Sequence, residues 1–410
     1  MLNSRFLLSA AVVTIIGGGA AAVAQNRQAT ANRTATYWMS AETMSGMMAG
    51  AMNTAGARPN VGNVLGGLLS GGRRASAPPS HVRRLQLQLG GSSRAAGSPS
   101  AEHLPPALLG AGSSLPLVSP QAVPAQQGTA SWPAQIERPR GRILVYWGCG
   151  DRARPGQPFE IDLSRLAAGQ VPPAFTQQPF RPMTPPSSLT HPTYGEWPND
   201  RSETSVPANA SLVGDHVVRG NYSPEIRFSL AAGQDFLSPV TLTSNTAASS
   251  GAVPVSWQPV PNARAWFATA MGASQNGDMV LWSSSETQLS MMGMMDYLSQ
   301  EEIARLLQQR VLLPAQTQQC TVPAEVAQRV QGAMLNVTAF GPEANFSHPA
   351  RPANARSSWA PDWTVKLRTR SAYMGMLGMD MDAMMRGESG NQPQPERRRR
   401  RSLRDRILGQ

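Results

Sequence analysis

Fifteen of the twenty methionines fall in three short windows: Met39, Met44, Met47, Met48 and Met52; Met291, Met292, Met294 and Met295; and Met374, Met376, Met379, Met381, Met384 and Met385. Thioether sulfur is a soft, uncharged ligand suited to Cu(I) or Ag(I), and M-x-M and M-x-x-M spacings can bring several sulfurs to one ion. On that reading Met44, Met47, Met48, Met291, Met292, Met294, Met374, Met376 and Met379 form a copper site. The competing reading, which we prefer, treats methionine as flexible apolar filler. The Gly/Met stretches would then pack against one another or present an adaptable apolar surface. No histidine accompanies any of the windows.

The chain has two cysteines, Cys149 and Cys320. An even pair in an oxidising compartment points to a disulfide. A reactive thiol or a metal ligand is the alternative, and the metal reading is weak because no histidine lies within 40 residues of Cys149.

The five histidines (His81, His103, His191, His216 and His348) are not spaced as metal pairs, and Asp215-His216 is a dyad in sequence only. Turn or surface positions are expected for them. The chain lacks H-E-x-x-H, G-x-S-x-G and a Walker-type phosphate loop. The adjacent acids Glu301 and Glu302 fit helix capping better than glycoside hydrolysis. Nothing in these patterns points to an enzyme. The nine tryptophans could stack on sugars if exposed, but in β proteins they more often fill the core.

The formal charge is +11, from 36 basic and 25 acidic residues. Much of the excess sits in the last fifteen residues, where Arg397, Arg398, Arg399, Arg400, Arg401, Arg404 and Arg406 face only Glu396 and Asp405. The body is mildly basic, which argues against a nucleic-acid-binding face. The tail has two readings: contact with anionic lipid headgroups through Arg397 to Arg401, or a disordered solubilising segment. At the other end, residues 1–24 read as a signal peptide. Arg5 precedes an apolar run from Phe6 to Ile16, and Ala22-Val23-Ala24 is an A-x-A cleavage site. Retention of the segment as an anchor is the minor alternative. The expected location is periplasmic or secreted.

These side chains must be positioned by elements that the pattern makes mostly β. Only 15% of residues are charged, and 37 Gly and 35 Pro exclude a coiled coil or an all-helical bundle. Arg84 to Leu89 alternates perfectly, with Leu85, Leu87 and Leu89 on one face. Arg142–Trp147 reads as a buried strand, and Pro158–Leu163 alternates again. Short β runs follow at 226–230, 240–243, 253–257, 334–340 and 363–370. Ala263–Ala270 and Met279–Ser283, joined through Asn276-Gly277, give the clearest hairpin signal. Ser299 with Glu302 forms a capping box opening a helix near 299–312, with Ile303, Leu306, Leu307 and Val311 on one face, and a shorter helix starts near Pro323.

The expected organisation is a signal peptide (1–24), an N-terminal β unit (34–165) with a flexible insert around 53–80, a Pro-rich linker (166–210), a β-rich domain (211–385) and a disordered basic tail (386–410). Residues 91–140 read as loop. The expected fold is mainly β, a β-sandwich-like architecture of fibronectin-III or immunoglobulin kind, with one or two short helices and long disordered loops.

Two resemblances add to this. Val253–Ser283, with VSWQPVPNARAWFATA, resembles a fibronectin-type-III strand–turn–strand unit over about thirty residues. YWMSAETMSGM, LGAGSSLPLVSP and RILVYWGCG together resemble an uncharacterised group of exported proteobacterial proteins. That resemblance implies an envelope location and transfers no activity. The chain also repeats W-x-S-x-E-T-x-x-x-M-M at Trp38–Met48 and Trp282–Met292. We read the repeat as two β units with the same strand end, ahead of two equivalent sites. The functional expectation is a non-enzymatic cell-envelope binding or interaction module without a cofactor, whose partner is a protein or an envelope component. The alternative is a soft-metal (Cu(I)/Ag(I)) binder.

Overall fold

The computed structural model describes residues 34–47, 49, 80–120, 141–167, 180–202, 204–288, 296–330, 332–352 and 359–379. The expected signal segment, the expected insert over 53–79, Met48, Met52, Met291, Met292, Met294, Met295, Met381, Met384, Met385 and Arg397 to Arg401 lie outside them.

Along the chain the strands are β1 (Ala35–Gly46), β2 (His81–Gly91), β3 (Ala101–Leu104), β4 (Leu115–Leu117), β5 (Arg142–Trp147), β6 (Phe159–Asp162), β7 (Thr193–Trp197), β8 (Gly214–Gly220) and β9 (Ile226–Leu230). They continue as β10 (Leu242–Asn245), β11 (Val253–Trp257), β12 (Ala265–Ala273), β13 (Met279–Ser283), β14 (Leu313–Pro314), β15 (Gln319–Val322), β16 (Met334–His348) and β17 (Trp363–Met376). The helices are α1 (Leu163–Ala167), α2 (Gln300–Gln308) and α3 (Ala324–Arg329). The protein is therefore mainly β.

Ten strands form one mixed sheet in the order β6-β5-β13-β12-β16-β17-β1-β2-β7, with β14 added beside β12. Among the described residues two small sheets, β10-β11-β15 and β4-β3-β8-β9, accompany it. The hairpin expected at Asn276-Gly277 is β12–β13, and Gly277 holds the positive φ of 82° that its turn needs.

The pleat explains where the core sits. Residues 365, 367 and 373 of β17 point to one face. Val365 and Leu367 pack there with Tyr37, Met39, Leu85, Leu87 and Leu89 against Val218, Ile226 and Phe228 of the four-stranded sheet. Tyr373 packs with Trp266, Trp282, Leu335 and Val337 against Val253, Val255, Trp257 and Val322 of the three-stranded sheet. The two small sheets thus lie side by side on the same face of the large one. Trp257 and Trp266 meet across the second interface with ring centres 5.2 Å apart. Truncating either would cost about 3–5 kcal/mol.

The opposite face is partly covered by α2. Its periodicity buries Ile303 and Leu306 against Phe267 and Phe340. Ser299 Oγ accepts the Glu302 N–H at 3.1 Å, as the capping box requires. The Glu302 carboxylate does not reach back as expected. It accepts the Arg181 N–H at 2.9 Å and pairs with Arg305.

Cys149 and Cys320 are joined in a disulfide. Cys149 lies just past β5, in a corner where Gly148 has φ 94° and its carbonyl accepts the Trp282 indole N–H at 3.0 Å. Cys320 is buried on β15. The bridge therefore ties the large sheet to the small sheet packed on it.

Several expectations need correction. Residues 91–140 and 166–210 are not simply loop and linker. The first contains β3 and β4, and the second contains β7, the edge strand beside β2. The division at 166–210 also does not separate two layers, because β1, β2, β5 and β6 share the large sheet with β12, β13, β16 and β17. Long-range pairing, chiefly β1 parallel to β17, overrides the order of segments along the chain.

Candidate anion-binding cleft

Two alternating strand sequences build the site. On β1, Trp38, Ser40 and Glu42 share the face away from the small sheets; on β17, Lys366, Arg368 and Arg370 do the same. The parallel register sets them opposite one another: Trp38 with Lys366, Ser40 with Arg368, Glu42 with Arg370. Each pair interacts. Lys366 Nζ lies 5.5 Å from the centre of the Trp38 ring, Arg368 Nε donates to Ser40 Oγ at 2.7 Å, and Arg370 Nη2 meets Glu42 Oε1 at 2.8 Å. A bulge in β16 between Phe340 and Glu343 brings Glu343 opposite Arg368, and Glu343 pairs with Lys366 at 3.3 Å.

Arg368 is the centre of the group. Its guanidinium lies between two rings, 5.2 Å from Trp38 and 4.4 Å from Tyr297. Tyr297 also covers Arg370 at 4.8 Å. Arg368 is only 4% exposed, yet its Nη1 makes no hydrogen bond. The nearest counter-charge to Nη1 is Asp296 Oδ1 at 3.7 Å, and the Asp296 side chain is half exposed. Burial pulls the Arg368 guanidinium below its ordinary value, opposed by Asp296, Tyr297 and Glu343. Guanidinium is basic enough to stay charged under any physiological condition. Burial also pushes the Tyr297 phenol well up, helped by the Glu42 charge.

A cleft of about 570 Å3 opens over this ladder, lined by Ser40, Glu42, Arg84, Tyr297, Arg368 and Arg370 among others. That volume suits a small ligand. The lining carries Arg83, Arg84, Arg368 and Arg370 against Glu42, Glu196 and Asp296, so cations exceed acids by one. A desolvated, ring-clamped guanidinium with an edge towards a cleft is suited to receive a carboxylate, phosphate or sulfate oxygen.

A second buried cluster lies behind the same strand. Tyr37 points to the other face of β1, and its phenol meets His103 Nδ1. His103 Nε2 meets His216 Nδ1 at 2.9 Å, and His216 Nε2 meets the Leu212 carbonyl at 2.7 Å. The Leu212 oxygen can only accept, so His216 donates from Nε2 and accepts at Nδ1. His103 then donates from Nε2, and Tyr37 donates to His103 Nδ1. Every member is satisfied with both imidazoles neutral. Burial lowers both histidine pKa values, and the His216 ring lowers that of His103 further. His216 also stacks on Phe228, with ring centres 4.9 Å apart. The expectation of turn or surface positions is thus wrong for His103 and His216, which are at most 1% exposed. We read this chain as structural, since it lies inside the core between β1 and the four-stranded sheet.

The structure brings parts of the first and third methionine windows together, because β1 and β17 are neighbours with Gly46 opposite Met374. Met44 Sδ accepts from Arg84 Nη1 at 3.9 Å, at the border of the cleft. Met47 follows the end of β1; Met374 and Met376 close β17, and Met379 lies exposed just beyond it. The Trp38 and Trp282 repeats are not equivalent. Trp38 packs on Arg368 on the face of β1 away from the small sheets, whereas Trp282 is buried in the core and its segment leaves the sheet after Ser283. Their glutamates do both meet arginine: Glu42 pairs with Arg370, and Glu286 with Arg154 at 2.7 Å.

Sequence reasoning did not single out Arg368, Arg370, Tyr297 or Asp296. A signal was there in W-x-S-x-E and K-x-R-x-R, each placing three polar or aromatic groups on one face of a strand. Comparison of the chain with known protein families, with characterised proteins and with solved structures finds no match.

Proposed function

We propose that the protein is an exported, non-enzymatic binding module of the cell envelope that holds an anionic group in the Arg368 cleft. The observation that carries this is the clamped Arg368, buried between two rings with Nη1 lacking a hydrogen bond. A buried cation left short of acceptors is costly unless a ligand completes it. Asp296, too far for a hydrogen bond and half exposed, acts as a placeholder that a ligand oxyanion displaces.

The scaffold proposed for this site is a β-sandwich of fibronectin-III type, extended by extra strands. Supporting it, β10-β11-β15 packs against β13-β12-β16-β17 around Trp257, and the VSWQPVPNARAWFATA segment crosses from one sheet to the other. The disulfide supports an oxidising compartment, and among the described residues no helix is long and apolar enough to cross a membrane.

Calorimetric titration of the mature chain with sulfate, phosphate and glucuronate tests the reading. We expect binding of at least one of these, weakened by added salt and lost in Arg368→Met. Asp296→Asn removes the competing carboxylate and is expected to tighten binding by about three- to tenfold, a discounted value for so exposed a carboxylate. Heats absent for all three anions in both the native chain and Asp296→Asn would overturn the proposal.

A further inference from the structure

Six large hydrophobic residues are strongly exposed among the described residues, and four are methionines: Met271, Met279, Met334 and Met379. The other two, Leu108 and Leu189, are elsewhere in the chain. The register places the methionines together. Met271 on β12 is directly opposite Met334 on β16, and Met334 is directly opposite Met376 on β17. Directly paired residues in antiparallel strands share a face, with Cβ atoms about 5 Å apart. Met271, Met334 and Met376 thus form a row across three neighbouring strands, on the face away from the small sheets. Met374, two residues from Met376, shares that face; Met279, opposite Ala273 on β13, does too.

We propose that this row is a soft-metal site that binds Cu(I) or Ag(I) through the thioethers of Met271, Met334 and Met376. Met334 is the central ligand, and each flanking methionine leans one strand inward to complete a two- or three-sulfur set. Three features favour this over plain apolar surface. The side chains are 51% exposed at Met271 and 36% at Met334, so an ion can reach the sulfurs without any opening of the core. The strands fix the spacing, so the ligands are preorganised, which a Met-rich loop is not. The set contains no hard donor: among the described residues no three His, Cys, Asp or Glu side chains gather to hold a metal, so the chain offers no competing hard-metal site there. Met271 and Met334 lie outside the three methionine windows, which is why spacing along the chain does not reveal them.

The thioether row makes a distinctive prediction. Thioethers do not titrate, so affinity stays constant between about pH 5 and 8, whereas a histidine or thiol site weakens on acidification. Zn(II), a borderline ion, is not held.

The test is a titration of the full mature chain, labelled with [methyl-13C]methionine, with chloride-free Ag(I), followed by NMR. Single Met→Leu variants assign the resonances, and leucine keeps side-chain volume at these positions. The expected result is that the methyl signals of Met271, Met334 and Met376 shift together and saturate at one equivalent. In Met271→Leu/Met334→Leu/Met376→Leu the amount of Ag(I) bound falls by one ion per chain. Static signals for these three residues up to about 100 µM Ag(I), a weak-affinity ceiling, would overturn the proposal. So would shifts confined to other methionines, or unchanged stoichiometry in the triple variant. Neither outcome depends on the arginine cleft.

Discussion

Breaking the Cys149–Cys320 bridge is the perturbation whose size follows most directly from the structure. The bridge closes a loop between residues 171 positions apart. In the chain-entropy model such a loop restricts the unfolded chain by an amount equivalent to about 5 kcal/mol at 25 °C. Folded domains have only about 5–15 kcal/mol in total, so the loss would be large. The bridge also has a local role, since it ties the corner after β5 to β15, where Gly150 N–H donates to the Thr321 carbonyl at 3.0 Å. The assay is urea unfolding followed by tryptophan fluorescence, on the native chain, on the native chain with a phosphine reductant, and on Cys149→Ala/Cys320→Ala. With a slope of about 3 kcal/mol per molar urea, the midpoint should fall by about 1.7 M. The void left at buried Cys320 adds a smaller cost to the double variant only, so the reductant arm isolates the cross-link. A loss below about 1 kcal/mol in both arms would refute the reasoning, since sheet pairing alone would then be holding β5 and β6.

Other predictions concern the two faces of β1. His103 and His216 are held neutral in the fold, with pKa values below the ordinary histidine value. Their contribution is complete above about pH 6.5, the unfolded value, and is lost as pH falls below it towards the lowered folded values. Unfolding free energy measured from pH 7.5 to 5 should decline, with at most two protons per unit of slope from this pair and a smaller share from the partly buried His191, whose value burial also lowers, while the carboxylates with depressed values act only below about pH 4.5. A flat profile over that range contradicts the neutral chain. Tyr37→Phe removes the donor to His103 and should cost about 1–3 kcal/mol in thermal or urea unfolding, the price of an unsatisfied buried nitrogen. Among the described residues Arg370→Met leaves the distant Arg84, 3.8 Å away, as the cation beside Glu42, and should cost about 3 kcal/mol.

Local pattern made much of the fold legible. The alternation of Leu85, Leu87 and Leu89 fixes the buried face of β2, Asn276-Gly277 fixes a hairpin, and Ser299 marks the start of α2. Elements stabilised by distant partners were hidden. Strands β3 and β4 have only four and three residues, the adjacent Val217 and Val218 blur the alternation of β8, and β7 is masked by the prolines around it. The site was harder still. Ser40 and Arg368 are 328 positions apart, and nothing in either strand's sequence announces that β1 enters the sheet parallel to β17. The same holds for His103 and His216, whose bond spans 113 positions. Each of the residues looks unremarkable until the register pairs it.

Anion binding at Arg368 is tested most directly by soaking crystals of the protein in selenate and locating selenium by anomalous scattering. The expected result is a selenium peak in the cleft beside Arg368, with a selenate oxygen within hydrogen-bond reach of Nη1 and Asp296 turned away. A cleft without selenium, and Asp296 still facing Arg368 at saturating selenate, would contradict it.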